Sequence, residues 1–179
     1  MKVSAKRYYR KLPSMLKDAV TLRALQSDDM AFIERLYAET RAEEMSRSGW
    51  PAEQVATFLS QQFHTQHAYY QAHYSGAEFL VIAHEGKAIG RLYRFWGPAK
   101  VNLIDIALVA EYQKQGIGSA LVDEMVRRAD AEGLLVELFV ETYNPAQRLY
   151  SRLGFAVINQ SGVYLRMRRE PRPASRKAP

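Results

Sequence analysis

Gln113-Lys114-Gln115-Gly116-Ile117-Gly118 decides how this chain reads. A strand-like run, Val101 to Val109, precedes it, and a helix-like run, Ile117 to Ala131, follows it. Strand, glycine turn and helix in that order build an anion site from backbone alone. The first N–H groups of a helix lack intrahelical acceptors and sit at the positive end of its dipole, so a phosphate is stabilised there. Glycine lets a ligand approach closely and frees the dihedrals of the turn. The stretch therefore predicts a phosphorylated ligand. Two nucleotide patterns do not fit. The Walker pattern needs Lys-Ser/Thr after its second glycine, and Ser119-Ala120 follows Gly118. The dinucleotide pattern needs a third glycine where Leu121 stands.

A second block is Asn144-Pro145-Ala146-Gln147-Arg148-Leu149-Tyr150-Ser151-Arg152-Leu153-Gly154-Phe155. Asn144 can cap a helix whose first residue is Pro145. Gly154 suits the helix stop, and Phe155 starts a short strand. Between the blocks lies an apolar strand, Leu134 to Val140. The order is strand, turn, helix, strand, helix, strand.

Both blocks resemble the GNAT superfamily of acyl-CoA-dependent N-acyltransferases. The first fits that family's Gln/Arg-x-x-Gly-x-Gly/Ala element, which holds the pyrophosphate of coenzyme A. The second resembles its closing helix, N-x-x-A-x-x-x-Y-x-x-x-G-F, with the alanine one place early at Ala146. The resemblance is close from Val101 to Met167 and loose before that. It implies an α/β (α+β) fold: a mixed, mostly antiparallel sheet of about seven strands with four flanking helices. The fourth and fifth strands splay into a wedge, here between Ile104–Val109 and Val136–Glu141. It implies acetyl-CoA as co-substrate. The pantetheine arm would pair with backbone at Ile106, Ala107 and Leu108, as an added strand pairs with a sheet edge. The pyrophosphate would sit on Gln113, Lys114, Gln115, Gly116, Ile117, Gly118 and Ser119. Asn144, Ala146 and Tyr150 would lie beside the arm.

Composition bounds the rest. At 179 residues the chain is one domain with room for a substantial core. It has no cysteine, which excludes disulfides and thiol chemistry and suits a reducing cytoplasm. No apolar run reaches the roughly 18 residues of a membrane span. The charged N-terminus lacks an apolar signal core. The net charge of +6 comes from the ends. Residues 1–17 carry six Lys/Arg and no acid, and residues 166–179 carry six Lys/Arg and only Glu170. Residues 18–165 hold 13 basic and 18 acidic residues, a balance of −5. The expected division is a basic arm, 1–17, a single domain, 18–168, and a basic, proline-containing, disordered tail, 169–179.

The early part reads as strand Ala19 to Leu25, then a helix start at Ser27-Asp28-Asp29 with Phe32, Ile33, Leu36 and Tyr37 at helical spacing to about Glu44. Pro51 opens a second helix bearing Val55, Phe58, Leu59, Phe63 and Tyr70 on or near one face. Glu78–His84 and Lys87–Trp96 are strands joined by Glu85-Gly86. Two final strands run from about Phe155 to Asn159 and from Val163 to Arg168.

Acyl transfer to an amine needs a neutral amine, a polarised carbonyl and a proton for the departing thiolate. Tyr150 holds the family's general-acid position. Asp105 and Glu141, on the two wedge strands, are the candidate bases; bulk water is the alternative. If Ile106 and Leu108 point away from the substrate, Asp105 points towards it, unless a bulge intervenes. The acceptor region of the family lies between the first two helices, here Glu39, Arg41, Glu43, Glu44, Arg47 and Trp50. Its acids suit a cationic amine and its arginines a carboxylate-bearing one. His64 and His67 are three positions apart on the second helix but lack a third ligand, so they read as helix-surface histidines and no metal is expected. Tyr69, Tyr70, His73 and Tyr74 read as a core cap, with an acceptor pocket as the alternative.

The expected activity is N-acetyl transfer to a small-molecule amine or a peptide N-terminus. A catalytically silent coenzyme A-binding module is the competing reading. Nucleic-acid binding has support only from Tyr8-Tyr9 among Lys6, Arg7, Arg10 and Lys11. No membrane partner is expected, and a homodimer is left open.

Overall fold

The computed structural model describes residues 19–172. The basic arm, 1–17, and the tail from 173 onward lie outside the described residues. In chain order the elements are β1 (Val20–Ala24), α1 (Met30–Ser46), α2 (Ala52–His73), β2 (Glu78–His84), β3 (Lys87–Trp96), β4 (Lys100–Leu108), α3 (Ile117–Glu132), β5 (Leu135–Glu141), α4 (Gln147–Arg152), β6 (Ala156–Ser161) and β7 (Tyr164–Arg169). Short 3-10 turns stand before α1 and after β4.

Helical spacing in the sequence becomes buried faces. Ile33, Leu36 and Tyr37 of α1 and Leu59, Phe63 and His67 of α2 are buried. With Val81 and Tyr93 of the sheet, most of them form one apolar cluster. On the other sheet face α3 buries Ile117, Leu121, Met125 and Val126 against Leu92, Val101, Val136 and Leu138. The start of α1 is fixed by Asp29, which accepts two bonds from Arg23 at 2.6 and 2.7 Å and one from the Gln26 amide at 2.9 Å. The Arg23 guanidinium holds the Asp29 carboxyl below the usual carboxylate range.

The seven strands run in the order β1-β2-β3-β4-β5-β7-β6. All pairs are antiparallel except β4 with β5. Gly90 of β3 lies opposite Leu108, where a Cβ would collide with the Ala107 carbonyl; a glycine lets the two strands close here.

The parallel pairing is short. Lys100–Leu103 pair with Leu135–Leu138, and there it stops. From Ile104 onward β4 keeps only β3, and Phe139–Glu141 of β5 keep only β7. Tyr93 faces Asp105 but Arg94 faces Leu103, so Ile104 is the extra residue of a bulge. The wedge on β5 therefore opens at Phe139 and not at Val136, because Val136–Leu138 are still paired. The last strand also runs one residue past the expected domain end. Arg169 is buried, and its guanidinium grips Asp130 of α3 at 2.6 and 2.8 Å. Strand β6 begins at Ala156, not Phe155, whose side chain is buried in the core.

Candidate active site

A cleft of about 1540 Å³ follows the splay. Among the candidate residues, Asp105, Ile106, Ala107, Gln113, Glu141, Asn144 and Tyr150 line it. Leu108, Ala146 and the turn from Lys114 to Ser119 do not; the cleft meets the turn at Gln113.

The turn has the geometry of an anion nest. Lys114 at φ 58° and Gly116 at φ 86° are both left-handed, an alternation that points successive N–H groups to one side. A lysine in this region is unusual, and such backbones gather at functional sites. Gly116 caps α3, with no side-chain cap and no acidic residue in the first turn. The first internal bond of α3 is Ala120 N–H to the Gly116 carbonyl at 2.9 Å. The amides of Gly116, Ile117, Gly118 and Ser119 have no acceptor among the described residues. Gly118 lacks any crowding of its own: a Cβ would meet only Ile106 Cδ1, at 3.9 Å. Orphaned donors, a positive helix end and open space fit a pyrophosphate.

The wedge strand offers its backbone. Val109 N–H donates to Ile89 on β3 at 3.0 Å. Alternation along the strand then turns the Ile106 and Leu108 N–H and C=O groups away from β3, into the wedge. The Leu108 carbonyl is already engaged: Gln113 Nε2 donates to it at 2.8 Å, tying the turn to the strand. The Ile106 groups and the Leu108 amide remain for a peptide-like arm.

Tyr150 is 6% exposed, packed edge-on against Phe155 at 5.8 Å. Its hydroxyl has no hydrogen-bond partner among the described residues. Burial pushes the phenol above the ordinary tyrosine range, and the charges of Asp105 and Glu141 add to that. Asn144 Oδ1 accepts from Ala146 N–H at 2.9 Å, so Asn144 caps the turn that leads into α4. The regular helix begins at Gln147, two residues later than Pro145. Asn144 Nδ2 also donates to Glu141 Oε2 at 3.0 Å.

Neither candidate base is free. Ile106 and Leu108 pack on the α3 face, and Asp105 turns to the α1–α2 face beside Tyr93. There Arg91 Nη2 donates to Asp105 Oδ2 at 2.6 Å. Arg91 is buried, with its guanidinium over the rings of Tyr37 and Tyr93 at 5.8 and 5.5 Å. Glu141 Oε1 lies 3.3 Å from Arg41 Nη2, an ion pair that joins α1 to the end of β5. Burial works against the Arg41 charge, but Glu141 and neighbouring groups outweigh it and hold the guanidinium protonated.

In the acceptor region Glu39, Arg41, Glu43, Glu44 and Arg47 line the cleft. Trp50 does not; it packs edge-on against Phe58 at 5.3 Å, over a separate shallow depression. Tyr69, Tyr70 and Tyr74 line the cleft, and Tyr70 also packs against the α1–α2 core cluster, edge-on to Tyr93; His73 stacks on Tyr69 at 3.8 Å outside the cleft. His67 is not a surface residue. It is buried beside Phe63, Phe79 and Tyr93, and burial lowers its basicity. No group of three metal-ligating side chains occurs among the described residues.

Sequence reasoning missed Arg91, Tyr37 and Tyr164, all of which line the cleft. Arg91 left a trace: it is a charged residue inside the apolar run Ala88 to Trp96.

A family model described as acetyltransferase (GNAT) family matches residues 30–155. Solved structures with the same fold include the PaiA N-acetyltransferase of Thermoplasma acidophilum in complex with coenzyme A. It is 18% identical over 85% of this chain and 99% of that one, with a TM-score of 0.63. A ribosomal-protein alanine N-acetyltransferase of Escherichia coli is 19% identical over 89% and 98%, with a TM-score of 0.56. An acetyltransferase of Thermus thermophilus is 15% identical over 84% and 95%, with a TM-score of 0.59. Among curated proteins no relative matches.

Proposed function

The chain belongs to the GNAT acetyltransferase family, and from that premise we propose that it moves an acetyl group from acetyl-CoA to a primary amine by direct attack in a ternary complex. The observation that carries this is the set of unpartnered amides at the start of α3, tied through Gln113 to the wedge that Tyr150 lines.

Bound acetyl-CoA supplies the activated thioester carbonyl. The α3 amides from Gly116 to Ser119 hold its pyrophosphate, and the free groups of Ile106 and Leu108 hold its arm. Tyr150 keeps its proton at neutral pH as any tyrosine does, and burial, with two nearby carboxylates, raises its phenol further. It gives that proton to the sulfur as the carbon–sulfur bond breaks. The amine loses a proton as its bond to carbon forms. Asp105 and Glu141 already face guanidinium groups, so water relays that proton to one of them or to solvent. Arg41, Tyr37 and Tyr70 surround the acceptor end.

The acceptor is a small-molecule amine or a peptide N-terminus. The open cleft accommodates both, and a structural relative carries the description of a ribosomal-protein alanine N-acetyltransferase. The second reading, a silent coenzyme A-binding module, draws on one observation: both candidate bases are locked in ion pairs. A thiol-release assay with acetyl-CoA and a panel of amines, amino acids and peptides, followed by mass spectrometry of the acceptors, separates the two. An acetylated acceptor is the expected result. Tight coenzyme A binding with no acceptor turned over would favour the silent module.

A further inference from the structure

Past the cleft the sheet keeps one open face. Val136, Leu138, Val140, Leu165 and Met167 turn to the α3 core, so alternation puts Glu137, Phe139, Glu141, Tyr164, Arg166 and Arg168 on the other side. There α1 and α2 pack over β2, β3 and β4, and beyond them Phe139 and Tyr164 are exposed. Three cross-strand rows cross this face: Glu141–Tyr164–Ser161, Phe139–Arg166–Asn159 and Glu137–Arg168–Ala156. The first row and Phe139 line the cleft, so the face continues its acceptor end.

The face is positive. Lys100, Arg166 and Arg168 share the buried carboxylate of Glu137, at 2.7, 2.9 and 2.8 Å. One carboxylate neutralises one of three cations. Arg168 meets a second, the exposed Glu170, only at 3.8 Å. Arg166 spends Nη2 alone on Glu137. The side chains of Arg166 and Arg168 are each 35% exposed and that of Lys100 41%, so donors remain for a further anion. The cleft wall on α1 has the other sign, with Glu39, Glu43 and Glu44 against Arg41 and Arg47.

We propose that the acceptor is a peptide whose N-terminal amine enters the wedge and whose acidic side chains, a few residues on, lie over Arg166 and Arg168. This names the acceptor of the acyl transfer proposed above and rests on that reading. A negative wall followed by a positive floor suits a ligand with an amine at one end and carboxylates beyond it. The Tyr164 row and the Arg168 row are four residues apart on β7, about 13 Å. An extended peptide covers that in about four residues, which puts its acids at about the third to sixth positions. A basic peptide would set its cations against the two arginines. The ends of the chain are not drawn onto this face by charge: residues 1–17 hold six Lys/Arg and no acid, and residues 173–179 hold Arg176 and Lys177 and no acid. Continuity with the cleft favours a peptide over single-stranded nucleic acid, because a peptide begins with the aliphatic amine on which the wedge acts.

Three peptides labelled at the C-terminus test this: Ala-Gly-Glu-Glu-Glu-Gly, and the same with Gln or with Arg in place of Glu. Fluorescence anisotropy with the full chain saturated in coenzyme A reads the surface. Thiol release from acetyl-CoA with alaninamide reads the chemistry alone. The acidic peptide is expected to bind about tenfold tighter than the Gln peptide, the combined effect of two exposed ion pairs, and the Arg peptide more weakly than either. The preference should shrink as salt rises. Ala156→Glu/Asn159→Glu sets carboxylates opposite Arg168 and Arg166, at exposed positions, while keeping every partner of Glu137. This variant should lose the acidic preference and keep alaninamide turnover. The basic ends attract acidic peptides to wild type and variant alike, so the difference between the two isolates the face. Where the double variant does not fold, Arg166→Gln, which leaves Lys100 and Arg168 on Glu137, should lose part of the preference. Equal binding of the three peptides, or an acidic preference that the charge variants keep, would overturn the proposal. So would a single-stranded RNA bound by the wild type and not by the variants, with the acidic peptide bound by neither. No thiol release with alaninamide or any peptide would overturn the acyl-transfer reading and the acceptor role with it, a failure that the binding measurement tells apart from failure of the surface.

Discussion

Arg91 Nη2 donates to Asp105 Oδ2 at 2.6 Å, from one strand to its neighbour beside the wedge, with the arginine side chain only 4% exposed and the aspartate 17%. Burying an arginine on a sheet is costly unless a carboxylate meets it. Asp105 supplies one, and the regular register Arg91↔Ala107, Tyr93↔Asp105 sets both side chains on one face of the sheet. The pair gives Asp105 a structural task besides any chemical one.

Removing one partner should therefore cost more than removing both. Asp105→Ala leaves the arginine charge uncompensated and should destabilise the fold by about 3 kcal/mol or more. Arg91→Met should cost less, because the aspartate is the more exposed of the two. Denaturant unfolding of both single variants and the double variant gives the coupling energy. Strictly additive losses would contradict the pairing.

Glu137 gives a pH signature. It is 1% exposed and bonds Lys100 at 2.7 Å, Arg166 at 2.9 Å and Arg168 at 2.9 Å. Burial alone would raise its carboxyl; the three cations outweigh that and lower it from 4.5 to about 2. A carboxyl depressed by folding stabilises the native state above its unfolded pKa, and that contribution fades as pH falls towards the folded one. The wild type should lose stability between pH 4.5 and pH 2, with Asp29 and Asp130 acting in the same direction. Glu137→Gln should be less stable at neutral pH and flatter through that window. Parallel stability curves for the two proteins would be the opposing result.

Two left-handed glycines separate binding from folding. Gly116 begins α3 and Gly133 ends it, at φ 86° and 68°. A side chain in that backbone region costs roughly 1–2 kcal/mol of stability. Gly133 has open space around it. Gly116→Val should lose stability comparably to Gly133→Val, and in addition weaken coenzyme A binding by about 2 kcal/mol or more, through lost charge-assisted bonds. Calorimetric titration of both folded variants checks this. Equal affinities would remove the pyrophosphate from this turn.

What could be read from the chain and what could not divides along sequence distance. The turn at Gly116, the cap at Asn144 and the stop at Gly154 are local devices, and each uses a residue type with few other reasons to be there. The splay was an implication of family likeness; its opening at Phe139 depends on where parallel pairing fails, which no local pattern encodes. The Arg91–Asp105 pair depends on how β3 and β4 are registered, and a one-residue slip would have set the aspartate on the opposite face. His67 looked like a surface histidine because its helix is polar around it, and only the packing of Phe79 and Tyr93 from the sheet buries it. Spacing favoured a core cap for Tyr70 and Tyr74, with an acceptor pocket as the alternative; Tyr70 packs on the core cluster and also lines the cleft, which helical spacing alone does not distinguish.

Arg41 links α1 to Glu141 at the acceptor end. Arg41→Gln removes that charge while retaining polar reach. The expected effect falls on the acceptor, with kcat/KM down by about 1–2 kcal/mol in transition-state terms and coenzyme A affinity unchanged. Steady-state kinetics with the acceptor varied, beside calorimetry of coenzyme A, reads both. A loss of coenzyme A affinity alone would place Arg41 on the wrong side of the reaction.

Tyr150 stands at the wedge where the thioester sulfur would lie in the acyl transfer proposed above. Tyr150→Phe removes one hydroxyl and keeps the ring that packs on Phe155. The most direct test of that transfer is the turnover number for thiol release from acetyl-CoA, at saturating donor and acceptor, in the Phe variant against the wild type. A proton given to sulfur only as the bond breaks strengthens in the transition state, so turnover should fall by about 10²-fold while coenzyme A affinity holds. Turnover within about twofold of the wild type would make Tyr150 a packing residue with no part in proton transfer.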